Sequence, residues 1–408
     1  MFYSLEEKND IPVYPDIDSI ILSEEQEKVL NEVVSFVEDE NKRKYFVVSG
    51  FAGTGKSAII PFIRNKISGQ SAVIAYTGKA VIVLKRKGIS DAQTIHSFLY
   101  HTKITTDEKT QKLKYEFIKK GEYDFENIKC VLVDESSMID ENIFNELVSH
   151  NFKIVFFGDS FQLPPVKDKF NIMEKPDVQL TKILRQNENN PIVKLSFMAR
   201  THQEIPFGNF GNSSKNPLFK LKPDKLLQFN QIICWTNRKR NEINNSIRSF
   251  RGYNLDTIYE GEKLVVKANY RYLGLFNGQM VINTKDSEVS PIKSNKSKIY
   301  HLNFVDEVAL DDIIAACTYG PVTADCTIGL SAEEIFNIKI NSHNKKPLVH
   351  LDYGYAITCH SAQGSSWPYV CIIEENGLRK MDEYWRWLYT AITRAEERVE
   401  IFSTGGIV

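Results

Sequence analysis

The segment YFVVS-GFAGTGKS-AIIPFIRNKI, Tyr45–Ile67, decides the fold. An apolar run of strand length passes into a glycine-rich loop and then into helical spacing. The loop Gly50–Ser57 fits the phosphate-loop pattern completely. Its glycines let successive backbone N–H groups curl around phosphate oxygens, and the following helix adds its N-terminal dipole. Gly50, Gly53, Thr54 and Gly55 form the cradle. Lys56 is predicted to reach the β- and γ-phosphates and Ser57 to hold Mg²⁺. ATP and Mg²⁺ are therefore the expected substrate and metal.

Three more near-continuous apolar runs follow: AVIAY at Ala72–Tyr76, CVLV at Cys130–Val133 and IVFF at Ile154–Phe157. Such runs suit parallel strands covered on both faces, and helical spacing at Ser23–Val37 and Ser57–Ile67 supplies the cover. Parallel strands end on the side of the phosphate loop. Asp134 and Glu135, in CVLVDESSM, therefore converge on the same ligand. Asp134 is predicted to hold the metal through water and Glu135 to act as base or to orient the attacking water. Gln162, in IVFFGDSFQLPPV, stands in a loop stiffened by Pro164 and Pro165, where an amide can contact the γ-phosphate.

The chain has 408 residues, 42% apolar and 25% charged, with formal net charge −1. That suits a protein of two or three domains and gives no bulk-charge argument for nucleic acid, although a local groove can still be basic. The six cysteines lack metal-ligand spacing and read as reduced, mostly buried thiols. No apolar run is long enough for a bilayer and the N-terminal sequence has no secretory pattern, so a cytoplasmic protein, bacterial or in a phage-infected host, without membrane partners is expected. Tyr100–Lys120 reads as a polar hairpin around a TDEKT turn. Ile205–Pro217, rich in Gly, Asn, Ser and Pro, reads as a connection. A second strand–helix series begins at QIICW, Gln231–Trp235, and resumes at YAITC (Tyr355–Cys359), YVCII (Tyr369–Ile373) and VEIF (Val399–Phe402).

With those residues in view, the chain from Leu22 to Phe402 resembles superfamily 1B helicases, the 5′-to-3′ RecD/Pif1/Dda-like group. LSEEQEKVL (Leu22–Leu30) resembles the glutamine motif that reads adenine, with Gln26 in that role. AYTGKA (Ala75–Ala80) and TIHSFL (Thr94–Leu99) resemble strand-contacting motifs, and GDSFQLPPV (Gly158–Val166) is close to diagnostic. LTKILRQ (Leu180–Gln186) resembles the motif whose arginine, Arg185, touches the γ-phosphate. LFNGQM (Leu275–Met280), YAITCHSAQGSSW (Tyr355–Trp367) and LYTAITRA (Leu388–Ala395) resemble second-domain motifs, with Arg394 as arginine finger. Family members often read HKSQG where this chain has His360-Ser-Ala-Gln-Gly364, so one lysine contact to the strand is absent. In size and layout the chain resembles the compact phage Dda-like enzymes.

The resemblance implies two RecA-like P-loop NTPase domains with parallel sheets. The first would span residues 1–97 and 126–204, with a hairpin insertion at 98–125 as candidate pin. A linker or boundary at 205–217 precedes the second domain, 218–283 and 350–408, which carries a β-rich, SH3-like insertion at 284–349. Gln363 and Gly364 would join the nucleotide site. Thr77, Lys79, Thr94, His96 and Phe98 in the first domain, and Thr236, Asn237, Thr358 and His360 in the second, are the expected strand contacts. Hydroxyls, amides and lysine touch mainly phosphates, so binding would be independent of sequence. Tyr384, Trp385 and Trp387 read as core. Trp367 has no settled place. Single-stranded and tailed or forked duplex DNA are the expected partners, with replication or repair proteins beside them, and a monomer is expected to suffice. A phosphate loop alone also admits kinases, GTPases and ring ATPases. A GTPase needs NKxD, and Asn295-Lys-Ser-Lys298 lacks its aspartate; a ring ATPase borrows its finger from a neighbour. A DNA-stimulated ATPase that translocates or remodels nucleoprotein without unwinding would carry the same motifs.

Overall fold

The computed structural model describes residues 21–40, 43–106, 113–165, 170–184, 190–254, 257–268, 270, 275–291, 298–306, 322–328 and 348–404. They fall into two compact units, one built from 21–253 with 355–404 and one lying within 254–354.

The larger unit holds two sheets. The first comprises β1 (Tyr45–Gly50), β2 (Gln70–Ala75), β3 (Gln93–Thr94), β6 (Ile128–Asp134), β7 (Lys153–Gly158) and β8 (Val178–Leu180), with β4 (Tyr100–Thr106) and β5 (Leu113–Lys119) set apart as an antiparallel hairpin. The order is β3-β2-β6-β7-β1-β8, and every pairing is parallel. Register aligns Ala75 with Asp134 and Ser49 with Gly158, so the phosphate loop and the acidic pair leave the same edge of the sheet. Helices α1 (Glu24–Glu38), α2 (Lys56–Lys66) and α3 (Gly78–Arg86) pack on one face through Val29, Val33, Ile59, Ile63 and Leu84. Helices α4 (Ile95–Leu99) and α5 (Glu141–Ser149) cover the other through Ile95, Phe98 and Leu147. Burial on both faces is why these strands read as unbroken apolar runs. Helix α6 (Pro191–Arg200) packs against Tyr384–Ile392 and Ala395–Ser403 of the second half.

The second sheet contains β9 (Gly208–Phe210), β10 (Ser213–Pro217), β11 (Gln231–Cys234), β18 (Ala356–Thr358), β19 (Trp367–Glu374) and β20 (Ala395–Ser403), in the order β18-β11-β19-β20-β10-β9. Its pairings are parallel except β9–β10. Helices α7 (Pro223–Leu226), α8 (Asn237–Phe250), α9 (Cys359–Ala362) and α10 (Tyr384–Ile392) belong to this half. The fold is two RecA-like domains, as expected.

Two boundaries are corrected. The stretch 205–217 is not a linker: β9 and β10 lie within it, and β10 pairs with β20. Its polar composition misled because this edge of the sheet buries serines and a lysine rather than a row of apolar side chains. The β-rich insertion also starts earlier than 284. Strands β12 (Lys263–Val266) and β13 (Met280–Asn283) join β14 (Glu288–Pro291), β15 (Lys298–Asp306), β16 (Val322–Ile328) and β17 (Leu348–Tyr353) in one sheet, where β13 pairs with both β12 and β15 and closes a small barrel. KLVV and MVIN are buried runs, which periodicity cannot tell from parallel core strands. The core of this unit is Leu264, Val266, Val281, Leu302, Phe304, Val349 and Leu351. LFNGQM therefore ends in the inserted sheet, not in the second RecA-like sheet.

Among the described residues no helix is long and apolar enough to cross a membrane. The described cysteines, Cys130, Cys234, Cys326, Cys359 and Cys371, are buried and free, and burial pushes the Cys359 thiol up to about 12.

Candidate nucleotide site and nucleic-acid face

The phosphate loop takes its shape from glycine. Gly53 and Gly55 have φ of 83° and 81°, where a side chain would be strained. A Cβ on Gly50 would lie 2.8 Å from Thr54 Oγ1, and one on Gly55 would run into Gln26 Nε2. Thr54 is buried and donates to Phe51 O at 2.9 Å, bracing the loop from within. The Lys56 ammonium donates to the carbonyls of Gly50 (2.6 Å) and Phe51 (3.0 Å), so it lies across the loop opening. Ser57 follows in the first turn of α2.

Gln26, expected to read adenine, is tied to the phosphate loop. Its Oε1 accepts from Ser23 N–H at 3.0 Å in a capping box, and its Nε2 donates to Thr54 O at 3.3 Å. Both ends of the amide are engaged in fixing α1 against the phosphate loop.

Asp134 is buried at the end of β6, its Oδ1 accepting from Glu135 N–H at 3.0 Å. Glu135 holds φ 53°, ψ 42°, a left-handed conformation uncommon for a non-glycine residue. Burial raises its carboxyl above the ordinary 4.5, and the Asp134 charge adds to that; Arg394 and Lys56 pull the other way. A carboxylate raised toward neutrality is the better proton acceptor.

Arg394 comes from the second domain and is buried beside this group. Its Nε donates to Thr390 O, Nη1 to Ser365 O and Nη2 to Thr393 Oγ1, each at 3.1 Å. A guanidinium has five N–H groups; three are engaged here, leaving one on each terminal nitrogen. Two atoms on the same loops, Gln162 Oε1 and Ser365 Oγ, are buried without a hydrogen-bond partner. Buried polar atoms are nearly always paired, so these mark where a polar ligand belongs. With the glycine cradle, Lys56 and the Asp134–Glu135 pair, the donor set fits a triphosphate, and the Ser57 hydroxyl with the Asp134 carboxylate suits a hard cation. Arg185 lies outside the described residues.

The second domain grips the loop that carries Gln162. Gln363 Nε2 donates to Leu163 O at 2.9 Å, Leu163 N–H donates to Thr390 Oγ1 at 2.9 Å, and Arg386 Nη1 donates to Ser160 O at 2.8 Å. Gln363 thus acts on backbone of the first domain. Gly364 has φ 73°, and a Cβ there would sit 2.9 Å from Thr77 Oγ1. Sequence reading missed Asp159, Arg386, Tyr389 and Thr390. The signal was present, since residues 386, 389, 390 and 394 recur at the spacing of one helical face.

The expected strand contacts separate into two kinds. Thr77, Thr94 and Thr236 each cap a helix, accepting from Ala80 N–H (3.2 Å), Ser97 N–H (3.2 Å) and Lys239 N–H (3.1 Å). The Thr94 hydroxyl donates on to Ser97 Oγ and the Thr236 hydroxyl to Glu375. Thr358 precedes α9 and pairs with Ser361 Oγ at 3.0 Å. Thr77 and Thr236 follow β2 and β11, and Thr94 and Thr358 end β3 and β18, so each helix starts at the C-terminal end of a strand. His96 and Asn237 are exposed, and His360 is half-buried, with burial pushing its imidazole toward the neutral form. Lys79 Nζ lies 5.0 Å from the ring centroid of Trp367, which is itself buried. Phe98 is a correction: it is 2% exposed, packed on Phe125 (4.9 Å between ring centroids) and Phe152 (5.9 Å), because α4 turns it into the core. Tyr100 is tied to Glu146 at 2.6 Å, a bond that pushes its phenol up to about 12. Tyr384 and Trp387 are core, while Trp385 is half-buried and stacks on His202 at 5.5 Å.

Residues 21–205 match an AAA domain and residues 353–401 a UvrD-like helicase C-terminal domain. The ATP-dependent RecD2 DNA helicase of Deinococcus radiodurans is 25% identical over 404 residues, covering 94% of this chain. This chain spans 49% of that protein, about half its length. The crystal structure of a Pif1 helicase from Bacteroides with ADP-AlF3 and single-stranded DNA matches with a TM-score of 0.54 at 18% identity, over 95% of this chain and 94% of that one. A structure of two coordinating Pif1 helicases at forked double-stranded DNA gives 0.54 at 19%, over 95% and 93%. These likenesses establish the fold.

Proposed function

We propose, for a chain that belongs with the RecD/Pif1-like helicases of superfamily 1B, that it is an ATP-driven motor on single-stranded DNA that unwinds duplex in the 5′-to-3′ direction. The observation that carries this is the buried Arg394 guanidinium, fixed by three hydrogen bonds beside Glu135 although it comes from the other sheet. A site completed by both domains ties hydrolysis to their closure.

Lys56 and Arg394 would balance charge on the transferred phosphoryl group, and Glu135 would orient and deprotonate the attacking water. Ser57 and Asp134 would hold Mg²⁺, which supplies further charge neutralisation when bound. Gln162 would sense the phosphate through its amide, in a loop the second domain already holds by backbone contacts. Arg185 remains a proposed γ-phosphate contact on its motif alone.

The strand would cross the face where α3, α4, α8 and α9 begin. Thr77, Thr94 and Thr236 are engaged as caps, so their part is to aim helix N-termini toward phosphates. Lys79, His96, Asn237 and His360 would complete the contacts, and binding would be sequence-tolerant and salt-dependent. The finger is in the same chain, which favours a monomer as the acting unit. Duplexes with a 5′ or a 3′ single-stranded tail, with ATP hydrolysis followed in parallel, test the reading. Unwinding confined to the 5′-tailed substrate is expected; hydrolysis and translocation with neither duplex opened would leave only a translocase.

A further inference from the structure

Tyr389 joins three pieces of the nucleotide site through one oxygen. Its hydroxyl accepts from the Ala52 N–H of the phosphate loop at 3.0 Å and donates to Asp159 Oδ2 at 2.8 Å. The other oxygen of Asp159 accepts from Phe161 N–H at 3.0 Å, within the loop that carries Gln162. Tyr389 lies on α10, five positions before Arg394, and only 2% of it is exposed. Phe161 packs against its ring at 6.1 Å. Burial and the Asp159 charge keep the phenol protonated, so the hydroxyl is a constant donor at physiological pH.

We propose that Tyr389 is a positioning residue that locks the phosphate loop and the Gln162 loop in register with the helix leading to Arg394. The reasoning rests on the proposed ATPase, whose finger Tyr389 serves. Neighbouring bonds from Arg386 and Thr390 reach only the Gln162 loop. Among the described residues of α10, Tyr389 alone hydrogen-bonds the phosphate loop itself. Replacing its hydroxyl by hydrogen keeps the ring and its packing but leaves a part-buried N–H and a buried carboxylate oxygen without their shared partner.

The test uses the full chain carrying Tyr389→Phe. With saturating single-stranded DNA, kcat for ATP is expected to fall about tenfold or more while KM changes less than about twofold, the pattern of an interaction realised in the transition state. In an Arg394→Ala background the same substitution should add little further loss, because there is no finger left to place. Hydrogen exchange gives an arm that needs no turnover: backbone amides of residues 50–57 should exchange faster in Tyr389→Phe, with those of β6 unchanged. Unaltered exchange in the phosphate loop, a change confined to KM, or an equal loss with and without Arg394 would each overturn the proposal. Absence of ATP hydrolysis by the unmodified protein would instead remove the functional reading, and the exchange arm would still decide the role of Tyr389.

Discussion

Replacing Arg394 with alanine should separate nucleotide binding from turnover. The guanidinium is held by Thr390 O, Ser365 O and Thr393 Oγ1, so its direction is fixed before any ligand arrives. Two N–H groups remain for the transferred phosphoryl oxygens. Hydrogen bonds to charged groups contribute about 1.5–3 kcal/mol each, so two contribute about 3–6 kcal/mol. At about 1.36 kcal/mol per tenfold in rate, that is a loss of about 10²–10⁴ in kcat. Arginine fingers elsewhere are worth about 10³–10⁵, which overlaps this range. Arg394→Lys should recover little, because an ammonium cannot reproduce the planar fork. The assay is phosphate release at saturating single-stranded DNA, with a fluorescent nucleotide titration and a thermal melt to confirm binding and folding. A kcat within threefold of the unmodified protein, with nucleotide binding intact, would refute the reasoning.

The remaining predictions are more local. Lys56→Ala should abolish hydrolysis, and wild-type turnover in that variant would discard the phosphate-loop assignment. Glu135→Gln should lose turnover yet stabilise the fold: a carboxyl raised above 4.5 favours folding fully below 4.5 and loses that contribution as pH rises through its folded value. The variant's stability advantage should therefore appear at neutral pH and shrink on acidification toward 4.5, and an advantage that grew on acidification would contradict the burial argument. Phe98→Ala should cost about 3–5 kcal/mol in urea unfolding; an unchanged melt with weakened DNA binding would return Phe98 to the strand. Replacing Lys103–Leu113 with a short Gly/Ser turn should spare DNA-stimulated hydrolysis and strongly reduce unwinding, and full unwinding would remove the pin.

The nucleotide site was legible because its chemistry is local. Gly50–Ser57 and Asp134–Glu135 are contiguous, and the strands before them announce which edge they share. What could not be read from the chain was long-range pairing. Nothing in the polar run Ser214–Pro217 says that it will pair with Glu400–Ser403, and nothing in KLVV or MVIN says antiparallel. Thr77, Thr94 and Thr236 were singled out by motif as strand contacts, but their hydroxyls are engaged by helices that begin beside them, a competition visible only once α3, α4 and α8 are placed. Phe98 was misjudged for a similar reason. A five-residue helix has no periodicity long enough to show which side faces the core. Asp159 and Tyr389 lie 230 positions apart and meet only through the docking of the two sheets.

The most direct test of the central claim is strand separation by the unmodified protein on partial duplexes carrying either a 5′ or a 3′ single-stranded tail, with ATP. The account predicts ATP-dependent opening of the 5′-tailed duplex and little or none of the 3′-tailed one, with Arg394→Ala inactive on both. Opening of the 3′-tailed duplex in preference, or opening that persists without ATP or in Arg394→Ala, would contradict it.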